Sequence, residues 1–171
     1  GPYPVNYEAS VFTSGTITFW KDGNNTYVNI PSSLSTPAAV NQYKNLVIKG
    51  NRTGASAVTF SNAGETKING IFDISQLNFD TAIPRFNMDG STVIFNQDGG
   101  IQDIPCSPGT VPDSIKNIEY FNLRIAGSGL KRLSSPYNPT FVVVNDLTLE
   151  SSTFSSNGFN LEVNQNWNNI N

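Results

Sequence analysis

The sequence predicts an all-β fold, a right-handed parallel β-helix-like solenoid of two divergent repeats of about 75 residues, with a two-sheet β-sandwich as the alternative. Three observations carry that expectation. Apolar residues recur two apart in short runs rather than at helical spacing. Tight-turn dipeptides punctuate those runs. And the chain repeats itself in order along its length.

The runs are Ile17-Thr18-Phe19, Leu46-Val47-Ile48, Phe72-Asp73-Ile74, Leu77-Asn78-Phe79 and Phe86-Asn87-Met88, followed by Val93-Ile94-Phe95, Leu123-Arg124-Ile125, Leu147-Thr148-Leu149 and Leu161-Glu162-Val163. In each, the first and third side chains fall on one face of a strand, and the middle residue, often polar, faces outward. β-Branched and aromatic residues dominate, which favours strands. Asp22-Gly23, Asn69-Gly70, Asp89-Gly90, Asp98-Gly99 and Asn157-Gly158 supply the turns, because Gly accepts a positive φ cheaply. Pro105, Pro108 and Pro112, then Pro136 and Pro139, mark longer loops, since proline cannot donate to a sheet ladder.

The repeat is internal and ordered. Gly15-Thr16-Ile17-Thr18-Phe19 is echoed by Ser91-Thr92-Val93-Ile94-Phe95, and Lys21-Asp22-Gly23 by Gln97-Asp98-Gly99. Ile30-Pro31 returns as Ile104-Pro105, and Tyr43-Lys44-Asn45-Leu46-Val47-Ile48 as Tyr120-Phe121-Asn122-Leu123-Arg124-Ile125. Phe72-Asp73-Ile74 matches Leu147-Thr148-Leu149, and Phe86-Asn87-Met88 matches Leu161-Glu162-Val163. Each copy holds several strands, which favours stacking of coil upon coil. Asn45 and Asn122, each just before a strand, are expected at equivalent turn positions.

A chain of 171 residues suits one domain with a core of its own. The expected division is 1–2 as the remnant of a cleaved tag, then a single domain over 3–171, with repeat one at about 7–88 and repeat two at about 89–169. Gly1-Pro2 carries the tag reading, and with it the expectation that the chain is a piece of a longer protein. Charged residues make up only 13% of the chain, about half the usual share, and the net charge is −3. The ten basic residues are scattered, which argues against nucleic acid as a partner. The densest pair, Lys131-Arg132, reads as a solvated turn. No run is long and apolar enough for a membrane helix, so no direct membrane insertion is expected.

Histidine is absent, which removes the commonest general base and metal ligand. The single cysteine, Cys106, has no partner for an internal disulfide and no histidine to activate it, so it is expected to be a small apolar filler in a turn. Asp98 and Asp103 flank a Gly-rich turn, and Asp73 and Asp80 flank a strand. No set of carboxylates converges as hydrolysis of a glycoside would require. These acids read as turn caps and solubilising groups, and the expectation is that the chain is not an enzyme. No cofactor is expected. Calcium is the one candidate ion, at the oxygen-rich loops Asp22-Gly23-Asn24-Asn25 and Asp98-Gly99-Gly100, although the EF-hand and nonapeptide spacings are missing.

The second repeat resembles the long tandem arrays of giant cell-surface proteins of the Bacteroidetes. Those arrays recur with a phrase like G-T-V-x-F-N-G…Q-x-I…F-N-N-L-x-I…V-x-V-N-G-x-L-T-L…L-x-V…N-W. Here it reads Ser91-Thr92-Val93-Ile94-Phe95-Asn96, Ile101-Gln102-Asp103-Ile104, Tyr120-Phe121-Asn122-Leu123-Arg124-Ile125, Val143-Val144-Asn145-Asp146-Leu147-Thr148-Leu149 and Leu161-Glu162-Val163-Asn164-Gln165-Asn166-Trp167. The first repeat departs from it: Trp20 replaces the Asn, and Ile71 is inserted after Asn69-Gly70. The resemblance implies type IX secretion cargo on the outer cell surface, some of it gliding-motility adhesin. The expected function is a structural or adhesive repeat segment, with a carbohydrate-binding module as the alternative and a β-helix polysaccharide lyase or hydrolase behind both. The expected partners are neighbouring repeats of the same chain and a polysaccharide or glycan. Asp80-Thr81-Ala82 and Asp113-Ser114-Ile115 resemble Bacteroidetes O-glycosylation sites, which makes Thr81 and Ser114 candidate attachment points.

Sugar platforms need exposed rings. Trp20, Tyr27, Tyr43, Tyr120, Tyr137 and Trp167 are the candidates. Trp20 leads them: it follows Phe19 in a strand, so if Phe19 is core, Trp20 faces outward, unless an adjoining loop packs over it.

Overall fold

The computed structural model describes residues 11–30, 41–60, 64–79, 86–107, 118–135, 140–150 and 152–170. The strands follow one another as coils. β1 (Val11–Trp20), β2 (Gly23–Asn24) and β3 (Tyr27–Ile30) lead to β4 (Asn41–Thr53) and β5 (Ala57–Phe60). Then come β6 (Glu65–Ile68), β7 (Phe72–Asp73), β8 (Leu77–Phe79) and β9 (Phe86–Asn87). β10 (Thr92–Phe95), β11 (Ile101–Pro105) and β12 (Glu119–Tyr120) are followed by β13 (Asn122–Ile125), β14 (Leu130–Ser134) and β15 (Phe141–Val143). β16 (Asp146–Glu150), β17 (Thr153–Ser155), β18 (Leu161–Val163) and β19 (Asn166–Ile170) close the series.

Every strand pairing among the described residues is parallel, and the described residues contain no helix. From β10 onward successive strands fall in different sheets, and each sheet pairs a strand in parallel with the matching strand of a later coil, so the fold is a β-solenoid. A Greek-key sandwich would need antiparallel neighbours. Seven of the nine alternating runs lie wholly on strands, and the other two begin on β7 and β9 and end one residue past them, at Ile74 and Met88. Their first and third residues are largely inward: Leu46, Ile48, Leu77, Val93, Phe95, Leu123, Ile125 and Leu147 are all buried. Each such burial stabilises by about 1.5–3 kcal/mol.

The two repeats take their places as two columns. Ile17 pairs with Leu46 and Leu46 with Phe72, while Val93 pairs with Leu123 and Leu123 with Leu147. Each copy therefore stacks its three matched strands directly on one another. The columns do not join, however. Val93 lies beside Thr66 of β6, not beside Phe72 of β7, so the second copy is slipped sideways along the coil. Columns that run through both copies include that of Tyr43, Ile68, Phe95, Ile125 and Leu149. A chain of buried rings crosses it at Phe95: Phe60, Phe72, Phe95, Tyr120 and Phe141 follow one another at centroid separations of 6.2, 6.4, 6.1 and 5.5 Å.

Asn45 and Asn122, expected in turns, lie in strands instead, within β4 and at the start of β13, yet they behave alike. Asn45 Nδ2 reaches Gly15 O at 3.2 Å and Thr16 Oγ1 at 3.4 Å, and its Oδ1 accepts from Ile71 N at 3.0 Å. Asn122 Nδ2 reaches Thr92 Oγ1 at 3.3 Å, and its Oδ1 accepts from Asn145 Nδ2 at 2.8 Å. Each amide thus bonds to the coil on either side.

Three further expectations are corrected. Tyr43 and Tyr120 are not surface rings: both are buried, because alternation turns them inward, and Tyr120 settles its hydroxyl by donating to Pro105 O at 2.9 Å. Lys131-Arg132 is not a solvated turn but part of β14, with Lys131 fully buried. Lys131 Nζ donates to Gln97 O at 2.8 Å and to Ser128 O at 2.9 Å, carbonyls that tight turns aim inward. Only Arg132 faces out, paired with Asp103. Finally, Ile94 is outward in register yet only 4% exposed. Its register neighbours are Lys67 and Arg124, whose aliphatic stems can lie along it while their charged heads stay in water.

Candidate functional site

Alternation along β1 places Trp20 outward. Phe19 is 7% exposed and Trp20 is 68% exposed. Parallel register sets Lys49 beside Trp20, and Lys49 Nζ lies 5.4 Å from the ring centroid, within cation–π range. A second row runs alongside, one turn further on. Asn51 N donates to Asp22 Oδ1 at 2.7 Å, and Asn78 Nδ2 donates to Asn51 Oδ1 at 2.6 Å. Trp20, Asp22, Lys49, Gly50, Asn51, Ser75, Gln76 and Asn78 line an open groove of about 340 Å³ between the two rows.

Gly50 allows this closeness. A Cβ there would stand 2.2 Å from Lys21 O, and its φ is +128°, so no other residue fits without shifting the coil above. Gly50 N also donates to Gln76 O at 3.1 Å, tying the groove floor to the next coil.

The second repeat builds the same corner without the aromatic. Asp98 Oδ1 accepts from Ser128 N at 3.1 Å as Asp22 does from Asn51 N. A Cβ on Gly127 would crowd Asn96 O and Gln97 O at 2.7 and 2.8 Å, as one on Gly50 would crowd Lys21 O. By the repeat alignment Asn96 and Ala126 stand where Trp20 and Lys49 stand. The corner there is lined by Glu65, Lys67, Asp98, Arg124 and Glu150 instead, with Arg124 and Glu150 paired at 2.8 Å.

The other sequence candidates separate. Tyr27 is exposed on β3, and Trp167 is exposed at β19, lining a different cavity with Leu149, Phe154, Phe159 and Leu161. Tyr137, Thr81, Ser114 and Asp80 lie outside the described residues. In the loop proposed for calcium, Asp22 Oδ1, Asn24 Oδ1 and Asn25 Oδ1 accept from Asn51 N, Thr53 Oγ1 and Ala55 N respectively. Those oxygens are directed at the next coil rather than toward one another. Among the described residues no three acidic, His or Cys side chains gather as a metal site. Asp73 caps a turn through Ser75 N at 2.8 Å, and Asp103 pairs with Arg132.

Cys106 is buried just past β11, where burial pushes its thiol up to about 12 and its N–H donates to Ser134 O at 3.0 Å. A nucleophilic cysteine needs the opposite shift. Sequence reasoning missed Gln102, whose inward amide donates to Ile68 O at 2.9 Å and Gly70 O at 2.8 Å and accepts from Gln97 N at 3.0 Å. It seals the place where the two repeats slip. No local signal marked it, because the carbonyls of Ile68 and Gly70 are brought to it only by the stacking of the coils.

Comparison with protein families, with curated proteins and with solved structures found no significant match to this chain.

Proposed function

We propose that this chain is a structural and adhesive repeat segment of a secreted bacterial cell-surface protein, a stretch of stalk that also presents a binding face. The observation that carries this reading is the column Thr66, Val93, Leu123, Leu147 and Trp167. It is buried through Leu147 and ends on a Trp167 that is 54% exposed, beside the open edge of β19. A solenoid of this kind is extended by adding coils, each burying the face of the one before. Its neighbouring repeats are then its first partners. The low charge and the polar turns suit an extracellular surface, and the phrase shared with Bacteroidetes arrays supports export by type IX secretion. The reading assigns no catalysis to the chain.

The test is surface labelling of intact cells that express the parent protein. Antibody raised against this chain should bind them without permeabilisation, and excising the chain should reduce their attachment to surfaces. Labelling only after lysis would reject the reading.

A further inference from the structure

We propose that the groove between Trp20 and the Asp22–Asn51–Asn78 row is a binding site for neutral saccharide chains. It deepens the adhesive half of the reading above and depends on that reading for its biological role. Three observations meet there. First, a large aromatic ring is left 68% exposed on a strand whose neighbouring residue, Phe19, already supplies the core contact. Second, the second repeat folds the same corner with Asn96 and Ala126 in place of Trp20 and Lys49, so the corner itself does not need the ring. Third, the opposite wall is a row of amides and one carboxylate, held in place by hydrogen bonds between coils.

The chemistry fits a sugar better than the alternatives. A hexose offers an apolar C–H face and a rim of hydroxyls. The face can lie on the indole, and the rim meets groups that both donate and accept. Asn51 Oδ1 is taken by Asn78, and Asn51 Nδ2 has no partner among the described residues, so it can donate to a hydroxyl. Asp22 binds Asn51 N through Oδ1, and Oδ2 remains as an acceptor. Lys49 and Asp22 offset one another across the groove, which disfavours a ligand chosen for its charge. The groove is open to solvent rather than closed into a pocket, as an internal segment of a chain requires.

The probes are laminarin, xyloglucan and galactomannan, with alginate as the acidic control, each cast into native gels and read as retardation of the whole chain. At least one neutral polysaccharide should retard it saturably. Trp20→Ala should weaken that binding by about tenfold or more, by analogy with the loss of a base stacked on an aromatic side chain. Trp20→Tyr should keep part of it, and Trp167→Ala should leave it unchanged. Circular dichroism of each variant checks that the fold persists. Retardation by none of the neutral probes overturns the proposal. So does a retardation that Trp20→Ala leaves intact, or one confined to alginate and abolished by salt. Any of these results, with intact cells still labelled by antibody, removes the groove and leaves the stalk.

Discussion

Gly50 and Cys106 set opposite limits at the scale of one residue. At Gly50 the coils approach so closely that a single carbon has no room. At Cys106 the small apolar side chain is needed because the interior is closed around it. That closure makes a pH prediction. The thiol ionises near 9.0 in the unfolded chain and near 12 in the folded one, because burial disfavours the thiolate. The folded state therefore holds the proton more tightly. The stability this confers is fully present below pH 9 and is lost as pH rises through about 12, at up to about 1.4 kcal/mol per pH unit. Tyr120, also raised by burial, acts in the same direction from above 10, whereas Lys131, lowered by burial, acts in the opposite direction below 10.5. Lys131 is common to wild type and Cys106→Ala, and Tyr120 keeps its burial there and loses only the repulsion of the Cys106 thiolate, which also flattens the variant's slope. The urea midpoint of Cys106→Ala should then fall less steeply than that of wild type between about pH 8 and 10.5. Parallel slopes would show that the thiol is not shielded as described. At this scale the sequence was readable where alternation held, as at Phe19 and Trp20. It was unreadable at Gln102 and Lys131, because each satisfies turn carbonyls whose inward direction only the coil geometry creates.

Strands and columns carry the next level of the argument. The nine apolar triplets located strands because the period of two survives any choice of partner. The partners were another matter. Parallel register across coils of unequal length leaves no local mark, and the sideways slip between the repeats depends on β4 being long enough to serve three neighbours on one side. Its Tyr43 end pairs with β6, its Leu46 stretch with β7 and its Gly50–Arg52 end with β8. Strands such as Glu65–Ile68 were not singled out, since Thr66 is a polar residue buried on the inner face. If columns rather than individual residues set stability, position within a column should outweigh side-chain size. Leu147 is fully buried and Trp167, its register partner, is half exposed. Leu147→Ala should therefore cost about 3 kcal/mol, as large-to-small changes in a closed core do. Trp167→Ala, which removes more atoms, should cost less than about 1 kcal/mol. Chemical denaturation of the two variants compares them directly, and an equal or reversed ranking would refute the column account.

For the whole molecule the same gradient becomes a statement about dynamics. A solenoid is nearly one-dimensional: each coil is held by its two neighbours, and an end coil by one. Beyond Leu147 none of the described residues is buried, and all five residues of β19 are exposed. The coils of β4, β6 and β10 have strands on both sides, and fully buried side chains line them from Tyr43 to Phe95. Opening should therefore start at β19 and proceed inward, because the terminal strand can leave without exposing a closed core. Amide hydrogen exchange measures this. Protection should be lowest in β19, rise through β16 and β13, and approach the global unfolding free energy in β4, β6 and β10. A uniform profile would mean that the chain opens as one cooperative block, and the picture of coils secured one upon another would be wrong. A graded profile has a further consequence. Any partner that lays a parallel strand on β19 would bury Trp167 and raise protection there first, with the effect decaying toward β10.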